Sequence, residues 1–286
     1  AKSAIKVVVP EGSDGTLFRW VARLTGSKNA LKGAGFFVGS VLLAGLGFVG
    51  ALLAMAGGLL VVLLGAVLSL SGDIGKSKKK VKFAALSSKS PAINWLSAAR
   101  LFLFAARDVW FVVGLPVFLS ELGWSFAEIG AFLALWVIGY GIVQAAVPEI
   151  LRKTGSGNGV DGATARIWAF ALVLIPAGLL VVLRLGAAPG IALIVGLAVF
   201  ALVFAINSAV HSYLVLAYSD VDSVSVDVGF YYMANAGGRL LGTLLSGLVF
   251  EFAGFDGCLA MSAALVLASA LLALNLPRNR GASLDL

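Results

Sequence analysis

The chain has 286 residues, of which 60% are hydrophobic and 12% are charged, and its formal net charge is +7. A mean hydropathy of +1.02 and a charged fraction about half that of soluble proteins exclude a soluble domain and predict an all-α polytopic membrane protein. One cysteine and one histidine exclude a disulfide framework and a cysteine or all-histidine metal site. The basic residues lie in loops or singly inside apolar runs, a pattern that does not fit a nucleic-acid surface.

Apolar runs long enough to cross a membrane follow one another along the chain. Residues 1–10 are interpreted as the end of a helix, and eight spans follow, at about 16–45, 47–71, 92–121, 125–150, 164–183, 190–218, 225–251 and 256–276. We predict three regions: the remainder of an N-terminal helix bundle (1–71), a basic cytoplasmic linker (72–91) and a C-terminal six-helix bundle (92–286).

The distribution of basic residues between loops predicts the orientation in the membrane. The linker contains Lys76, Lys78, Lys79, Lys80, Lys82 and Lys89, so the positive-inside bias assigns it to the cytoplasm. The loop at 152–166 and the tail with Arg278 and Arg280 then fall on the same side, and among the outer turns only Arg184 is basic. The predicted topology is multi-pass with a cytoplasmic C-terminus.

An internal repeat relates the last pair of spans to the first pair. At a single offset, 25–40 aligns with 232–247, and this places Lys32 on Arg239. The turn Gly47-Phe48-Val49-Gly50 falls on Gly254-Phe255-Asp256-Gly257 at the same offset. A parallel repeat about 200 residues apart is typical of two six-helix halves, as in major facilitator transporters.

The repeat also predicts which helices are present. The first two spans correspond to helices five and six of twelve, residues 1–10 to the end of helix four, and the last six spans to helices seven to twelve. Because the chain begins without methionine and without a charged and then apolar leader, we expect no signal peptide and an N-terminal truncation of about four helices.

Polar side chains inside the spans are the candidate functional residues, because each costs free energy in lipid. The basic residues of the spans, including Arg100, face Asp108 as the deeply placed acid, an imbalance that is tolerable if they line a wet cavity that an anion fills. Small residues at Gly238, Gly242 and Ser246 predict close helix packing behind Arg239. The predicted substrate-binding residues are Lys28, Lys32, Arg107, Arg239, Tyr232, Asn235 and Asn207, and the proton-coupling candidates are Asp108 and His211.

Sequence motifs of enzymes are absent from the chain. It contains neither GxSxG nor HExxH, and the glycine-rich run at 155–159 lacks the Lys-Ser/Thr that a phosphate-binding loop requires. We therefore predict a non-enzymatic protein without cofactor or metal. The sequence also contains no ATPase domain, so transport would be driven by a gradient.

Long runs of the sequence resemble the organoarsenical efflux permease family (ArsJ), a bacterial inner-membrane branch of the major facilitator superfamily. The runs are AKSAIK, RWVARLTGSKNALKG, SAARLFLFAARDVWFVVGLPVFL, FLALWVIGYG, NSAVHSYL and DVGFYYMANAGGRLLGTLLSG. The resemblance implies export of 1-arseno-3-phosphoglycerate, which glyceraldehyde-3-phosphate dehydrogenase forms from arsenate. The implied partners are this anionic substrate, the lipid bilayer and, functionally, the dehydrogenase, for a protein expected to be a monomer.

Two other functions remain open at this stage. The first is a facilitator-type exporter of another organophosphate or of a drug, for which the same cationic spans would serve. A non-transporting membrane scaffold or receptor is the second alternative, and it predicts that the buried cations pair off and leave no wet cavity.

Overall fold

The computed structural model describes residues 5, 9, 14–69, 90–153, 160–220 and 223–278, so the predicted linker at 72–89, most of residues 1–10 and the glycine-rich run at 155–159 lie outside the described residues. Within these ranges the regular elements are all helices: α1 (Asp14–Ser69), α2 (Pro91–Phe111), α3 (Gly114–Glu121), α4 (Phe126–Lys153), α5 (Gly162–Arg184), α6 (Pro189–Ala217) and α7 (Val224–Ala273). The all-α class is therefore confirmed.

The two longest helices each break at the glycine that begins the repeated turn. Gly47 in α1 has φ 67° and ψ 179°, and Gly254 in α7 has φ 61° and ψ −162°. This backbone region is essentially restricted to glycine, because a Cβ would clash there. The breaks confirm the two predicted turns, and the aligned glycines share one backbone conformation.

The two arms of α7 run in opposite directions along α2. In the first arm, Gly238 faces Leu101 so closely that a Cβ would strike the leucine carbonyl, and Gly242 faces Ala105 in the same way. In the second arm, the Ser262 hydroxyl donates to the Ala106 carbonyl at 2.6 Å and the Ser269 hydroxyl donates to the Ala99 carbonyl at 2.8 Å. The predicted small-residue face is thus confirmed, and α7 is a hairpin of two helices closed at Gly254.

The predicted span at 92–121 is not one continuous helix. It breaks between α2 and α3, and the backbone N–H groups of Val113 and Gly114 both donate to Ser246 Oγ, each at 3.1 Å. Pro116 has no N–H to donate to the carbonyl of Val112, four residues earlier, and in a continuous helix its ring would clash with that carbonyl. The α7 serine therefore satisfies donors that the break leaves without helical partners.

Six described helices or arms are long and apolar enough to cross a membrane: Gly45–Ser69, Pro91–Glu121, Phe126–Lys153, Gly162–Arg184, Pro189–Ala217 and Val224–Ala273. The prediction of eight spans differs in two places. The arm at 14–46 is not among the six, and it carries Arg19, Arg23, Lys28 and Lys32. Val224–Ala273 is one stretch of 50 residues, which the turn at Gly254 folds into two arms.

Close packing between α1 and α4 orients the first arm of α1. A Cβ on Gly26 or Gly33 would overlap atoms of α4, and Gly141 of α4 meets the backbone of Ala30 in return. Such small-residue contacts let two helix backbones approach closely in a membrane. Because this edge of α1 faces α4, the neighbouring edge with Lys28 and Lys32 turns toward α2 and α7.

Candidate functional site

A cavity of about 560 Å³ lies between the first arm of α1 and the helices α2, α4 and α7. Its lining combines basic, amide, aromatic and aliphatic side chains: Thr25, Lys28, Asn29, Lys32, Arg100, Phe104, Arg107, Asp108, Phe111, Val112, Leu133, Trp136, Val137, Tyr140, Tyr232, Asn235 and Arg239. This volume is in the range of sites for small organic molecules.

Positive charge dominates the cavity. Five basic residues from three helices line it, namely Lys28, Lys32, Arg100, Arg107 and Arg239, and Asp108 is the carboxylate among the lining residues. Each cation at membrane depth costs about 3 kcal/mol even on insertion scales. A multiply charged anion in the cavity would offset this cost, so the arrangement favours anion binding.

Asp108 links two of the guanidinium groups. Its carboxylate is fully buried; Oδ1 accepts from Arg107 Nε at 2.6 Å, and Oδ2 accepts from Arg239 Nε at 3.1 Å. Arg107 is mostly buried, whereas half of the Arg239 side chain is exposed. One carboxylate is thus divided between two cations, which leaves net positive charge on the cavity wall.

Arg100 is almost completely buried and has neutral partners. Its Nε donates to Asn235 Oδ1 at 2.9 Å, and its Nη1 donates to Ser208 Oγ at 3.1 Å and to the Ser208 carbonyl at 3.3 Å. The guanidinium also lies over the Phe104 ring, 3.9 Å from its centre. These contacts fix the position of the cation without neutralising its charge.

Ser208 of α6 is the centre of a hydrogen-bond network beside Arg100. Besides the arginine, its hydroxyl accepts from Tyr140 at 3.0 Å and from Gln144 Nε2 at 3.0 Å. Gln144 Oε1 in turn accepts from Asn29 Nδ2 at 2.6 Å. The network connects α1, α4 and α6 to the cavity wall on α2, so it holds the polar lining in a defined arrangement.

The structure brings together seven of the nine predicted site residues. Lys28, Lys32, Arg107, Asp108, Tyr232, Asn235 and Arg239 all line the cavity, and Lys28 Nζ lies 6.0 Å from the centre of the Tyr232 ring. These residues come together because α1 packs closely on α4 and α2 packs closely on α7. Each of these contacts turns the neighbouring edge of the helix toward the cavity.

Asn207 and His211, the other two predicted residues, do not line the cavity. Asn207 Nδ2 donates to the carbonyls of Trp168 at 2.8 Å and Val203 at 3.1 Å, which ties α6 to α5. His211 is fully buried, and neither ring nitrogen has a hydrogen-bond partner among the described residues. Both side chains therefore lie within helix packing of α6, away from the cationic wall.

Several lining residues were not predicted as binding residues. Arg100 was recognised as an intramembrane cation but not as part of the site, and Asn29, Trp136 and Tyr140 were not singled out. Asn29 had a detectable signal, because it lies between Lys28 and Lys32 in a polar stretch of an otherwise apolar run. The aromatic residues of α4 had none, since aromatic side chains are common on any membrane helix.

An apolar cluster fills the bundle at the end of the cavity nearest the start of α1. Leu17, Phe18 and Val21 of α1 pack in it with Tyr213 of α6 and Tyr231 of α7. The Phe18 and Tyr213 rings are 5.2 Å apart between centres. This end corresponds to the predicted cytoplasmic side.

No protein-family model and no curated protein matches the chain. Among solved structures, its fold is similar to a crystal structure described as a bacterial homologue of the iron transporter ferroportin in the outward-facing state, with a TM-score of 0.66 and 17% sequence identity. The similarity covers 94% of this chain and 65% of that chain. The chain thus spans less than two thirds of the length of the solved structure.

This likeness confirms the predicted fold class. The chain shares its overall fold with this solved structure, and six of its described helices or arms are long and apolar enough to cross a membrane. At this level of identity the similarity concerns the fold and carries no information on the substrate.

Proposed function

We propose that the protein is a secondary active transporter that exports an anionic organoarsenical, 1-arseno-3-phosphoglycerate, from the cytoplasm and so gives resistance to arsenate. The anionic character of the substrate is inferred from the cavity, whose lining combines five basic residues with the carboxylate of Asp108. The sequence resemblance to organoarsenical efflux permeases supports the particular substrate. The fold, shared with a transporter homologue, supports transport as the activity.

The cavity chemistry disfavours a metal cation as the substrate of this chain. The similar structure is described as a homologue of an iron transporter, but an Fe²⁺ ion here would be repelled by several lysines and arginines. Within the described ranges no cluster of three His, Cys, Asp or Glu residues forms a metal site. Arsenate and phosphate esters instead match the bidentate donors of arginine.

The contacts of the buried cations also argue against a purely structural role for them. A scaffold predicts that these cations pair with acids, yet Arg100 has neutral hydrogen-bond partners and Asp108 is shared between Arg107 and Arg239. An open volume of about 560 Å³ remains between them. Another organophosphate is the remaining rival substrate, and the genetic test separates it from the arsenical.

Proton antiport is part of the proposal, with Asp108 as the coupling group. The Asp108 carboxylate and the substrate anion would compete for Arg107 and Arg239, so the protonation of Asp108 would govern how strongly these cations hold the anion. His211, the other coupling candidate, is buried outside the cavity lining and takes no part in this scheme. Transport that collapses with an uncoupler supports the coupling, and transport unaffected by the uncoupler refutes it.

The remaining proposals concern the whole protein: a bacterial inner-membrane location and a cytoplasmic C-terminus. The deciding experiment is arsenate resistance of a sensitive bacterium that carries the full-length gene, with and without a co-expressed glyceraldehyde-3-phosphate dehydrogenase. Resistance only with the enzyme supports export of the organoarsenical. No resistance in either strain, with the protein present in the membrane, refutes this substrate.

A further inference from the structure

The helix α4 contributes no charged residue to the cavity lining. Its lining residues are Leu133, Trp136, Val137 and Tyr140. Their spacing of three and four residues places them on one face of the helix. The five cations of the lining belong instead to α1, α2 and α7. The cationic cavity therefore has one wall that is mainly apolar and aromatic.

The polar atoms of the two aromatic side chains on this wall have partners on α6. Trp136 Nε1 donates to the carbonyl of Leu197 at 2.8 Å, and the Tyr140 hydroxyl is 3.0 Å from Ser208 Oγ. The two rings are stacked, with 5.9 Å between their centres and 11° between their planes. Because both polar groups are satisfied on α6, these rings offer a ligand aromatic contact rather than hydrogen bonds.

The end of α2 extends the aromatic wall to the cations. Phe111 and Val112 line the cavity, and the Phe111 ring is 5.0 Å from the Trp136 ring between centres. Phe111 also follows Arg107 by one helical turn, and the Arg107 guanidinium lies 5.9 Å from the centre of the Phe111 ring. A positive group and an aromatic surface are thus direct neighbours inside one cavity.

We propose that the cavity binds a second class of ligand, aromatic organic anions such as aryl phosphates. The anionic group lies on Arg107 and Arg239, and the ring lies against Phe111, Trp136 and the aliphatic residues of α4. The proposal rests on the proposed function only in taking the cationic cavity as an anion site. It goes beyond that function because a three-carbon phosphate ester has no apolar body to cover the wall of α4.

The size of the cavity agrees with such a ligand. Its volume is about 560 Å³, and cavities of about 300–1,000 Å³ hold drug-sized molecules. Leu133, Val137 and Phe111 are half-buried, so part of each side chain is still free to contact a ligand. Covering this apolar surface with a ring removes it from water, which favours binding.

The alternative role of the wall is helix packing alone. Trp136 is largely buried and belongs to the apolar core of the bundle. The two roles give different dependences on the ligand. A packing role predicts that the affinity for a phosphate ester does not depend on its organic group. A ligand-binding role predicts that an apolar ring raises the affinity.

The test measures binding to the whole protein purified in detergent, by calorimetry, with three probes. Phenyl phosphate has a ring and a charge, methyl phosphate has the charge without the ring, and benzyl alcohol has the ring without the charge. We expect phenyl phosphate to bind at least about tenfold more tightly than methyl phosphate, and benzyl alcohol not to bind measurably. Equal affinities for the two phosphates, or equal binding of benzyl alcohol and phenyl phosphate, overturn the proposal.

Variants locate the ring on the wall of α4. Val137→Thr places a hydroxyl in the wall at nearly constant volume, and we expect it to weaken phenyl phosphate at least about threefold without changing methyl phosphate. Val143→Thr is the matched control, because Val143 is also half-buried on α4 but does not line the cavity. It should leave both affinities unchanged.

Arg107→Gln tests the charged end and should weaken both phosphates. A Val137→Thr variant that binds both phosphates as the unmodified protein does, or that loses affinity for both by the same factor, refutes the contact with α4. If a variant does not fold, the comparison of the three probes on the unmodified protein still decides.

The outcome is separable from that of the proposed function. Preferred binding of phenyl phosphate by a protein that gives no arsenate resistance upholds the aromatic anion and refutes the arsenical. Resistance with the dehydrogenase, together with equal affinities for phenyl and methyl phosphate, upholds the arsenical and refutes the aromatic ligand.

Discussion

Arg239 on the first arm of α7 donates a hydrogen bond of 3.1 Å from Nε to Oδ2 of Asp108 on α2, and this carboxylate is fully buried. The same carboxylate holds Arg107 through Oδ1. Because Arg239 is half exposed while Asp108 is not, the pair lies at the border between protein and cavity. An anion bound in the cavity would compete with Asp108 for Arg239.

The energetic coupling between these two residues can be measured in a double-mutant cycle. We expect Asp108→Asn alone to lower the free energy of unfolding by about 3 kcal/mol, because it leaves Arg107 and Arg239 without their acid. Arg239→Gln alone should cost about 1 kcal/mol or less, since that side chain is half exposed. The coupling, measured from denaturant unfolding in detergent, should be about 0.5–1 kcal/mol; strictly additive effects would contradict the contact.

Removal of single charges from the cavity should abolish transport without loss of the protein. Lys32→Gln, Arg107→Gln and Arg239→Gln are each expected to eliminate arsenate resistance in the strain with the dehydrogenase, because each removes a cation from the wall. Arg152→Gln is the matched control, since Arg152 is exposed and pairs with Glu149 at the end of α4. Retained resistance in the three cavity variants, with membrane levels equal to the control, would refute the site.

The breaks at Gly47 and Gly254 should depend on glycine. Alanine at either position would have to adopt φ above +60° with ψ near 180°, which costs about 1–3 kcal/mol. Gly57→Ala is the control, because Gly57 is helical with open space around it, and there alanine should be neutral or stabilising by up to about 1 kcal/mol. Thermal unfolding in detergent checks the order; an equally stable Gly254→Ala variant would show that the hairpin does not require this conformation.

The contact between Phe18 and Tyr213 in the apolar cluster beside the cavity should open during transport. The Phe18 and Tyr213 rings are 5.2 Å apart, so cysteines at these positions should be within reach of a short cross-linker. The pair is introduced together with Cys258→Ser, since Cys258 is the single native cysteine. We expect cross-linking to stop substrate uptake into inverted membrane vesicles and reduction to restore it.

The controls for this experiment are the two single-cysteine variants in the same background. They should transport at the same rate with and without the cross-linker. Full transport by the cross-linked double variant would show that the contact between α1 and α6 is permanent.

The sequence by itself determined the helical class, the approximate spans and the two glycine turns, because hydropathy and glycine placement act locally. It also singled out the charged residues that line the cavity, since a charge in an apolar run is costly wherever the helix packs. The internal repeat aligns Lys32 with Arg239, and both residues line the cavity.

Only the tertiary structure decided which way each helix faces. α6 is apolar on all sides, so no periodicity distinguishes its cavity face from its packing faces, and Asn207 and His211 were placed in the site for that reason. Arg100 is the opposite case: its role depends on the distance to Phe104 and on the lack of an acid nearby. Such relations arise between helices, where the rotation and approach of each backbone are set by small-residue contacts such as Gly238 against Leu101.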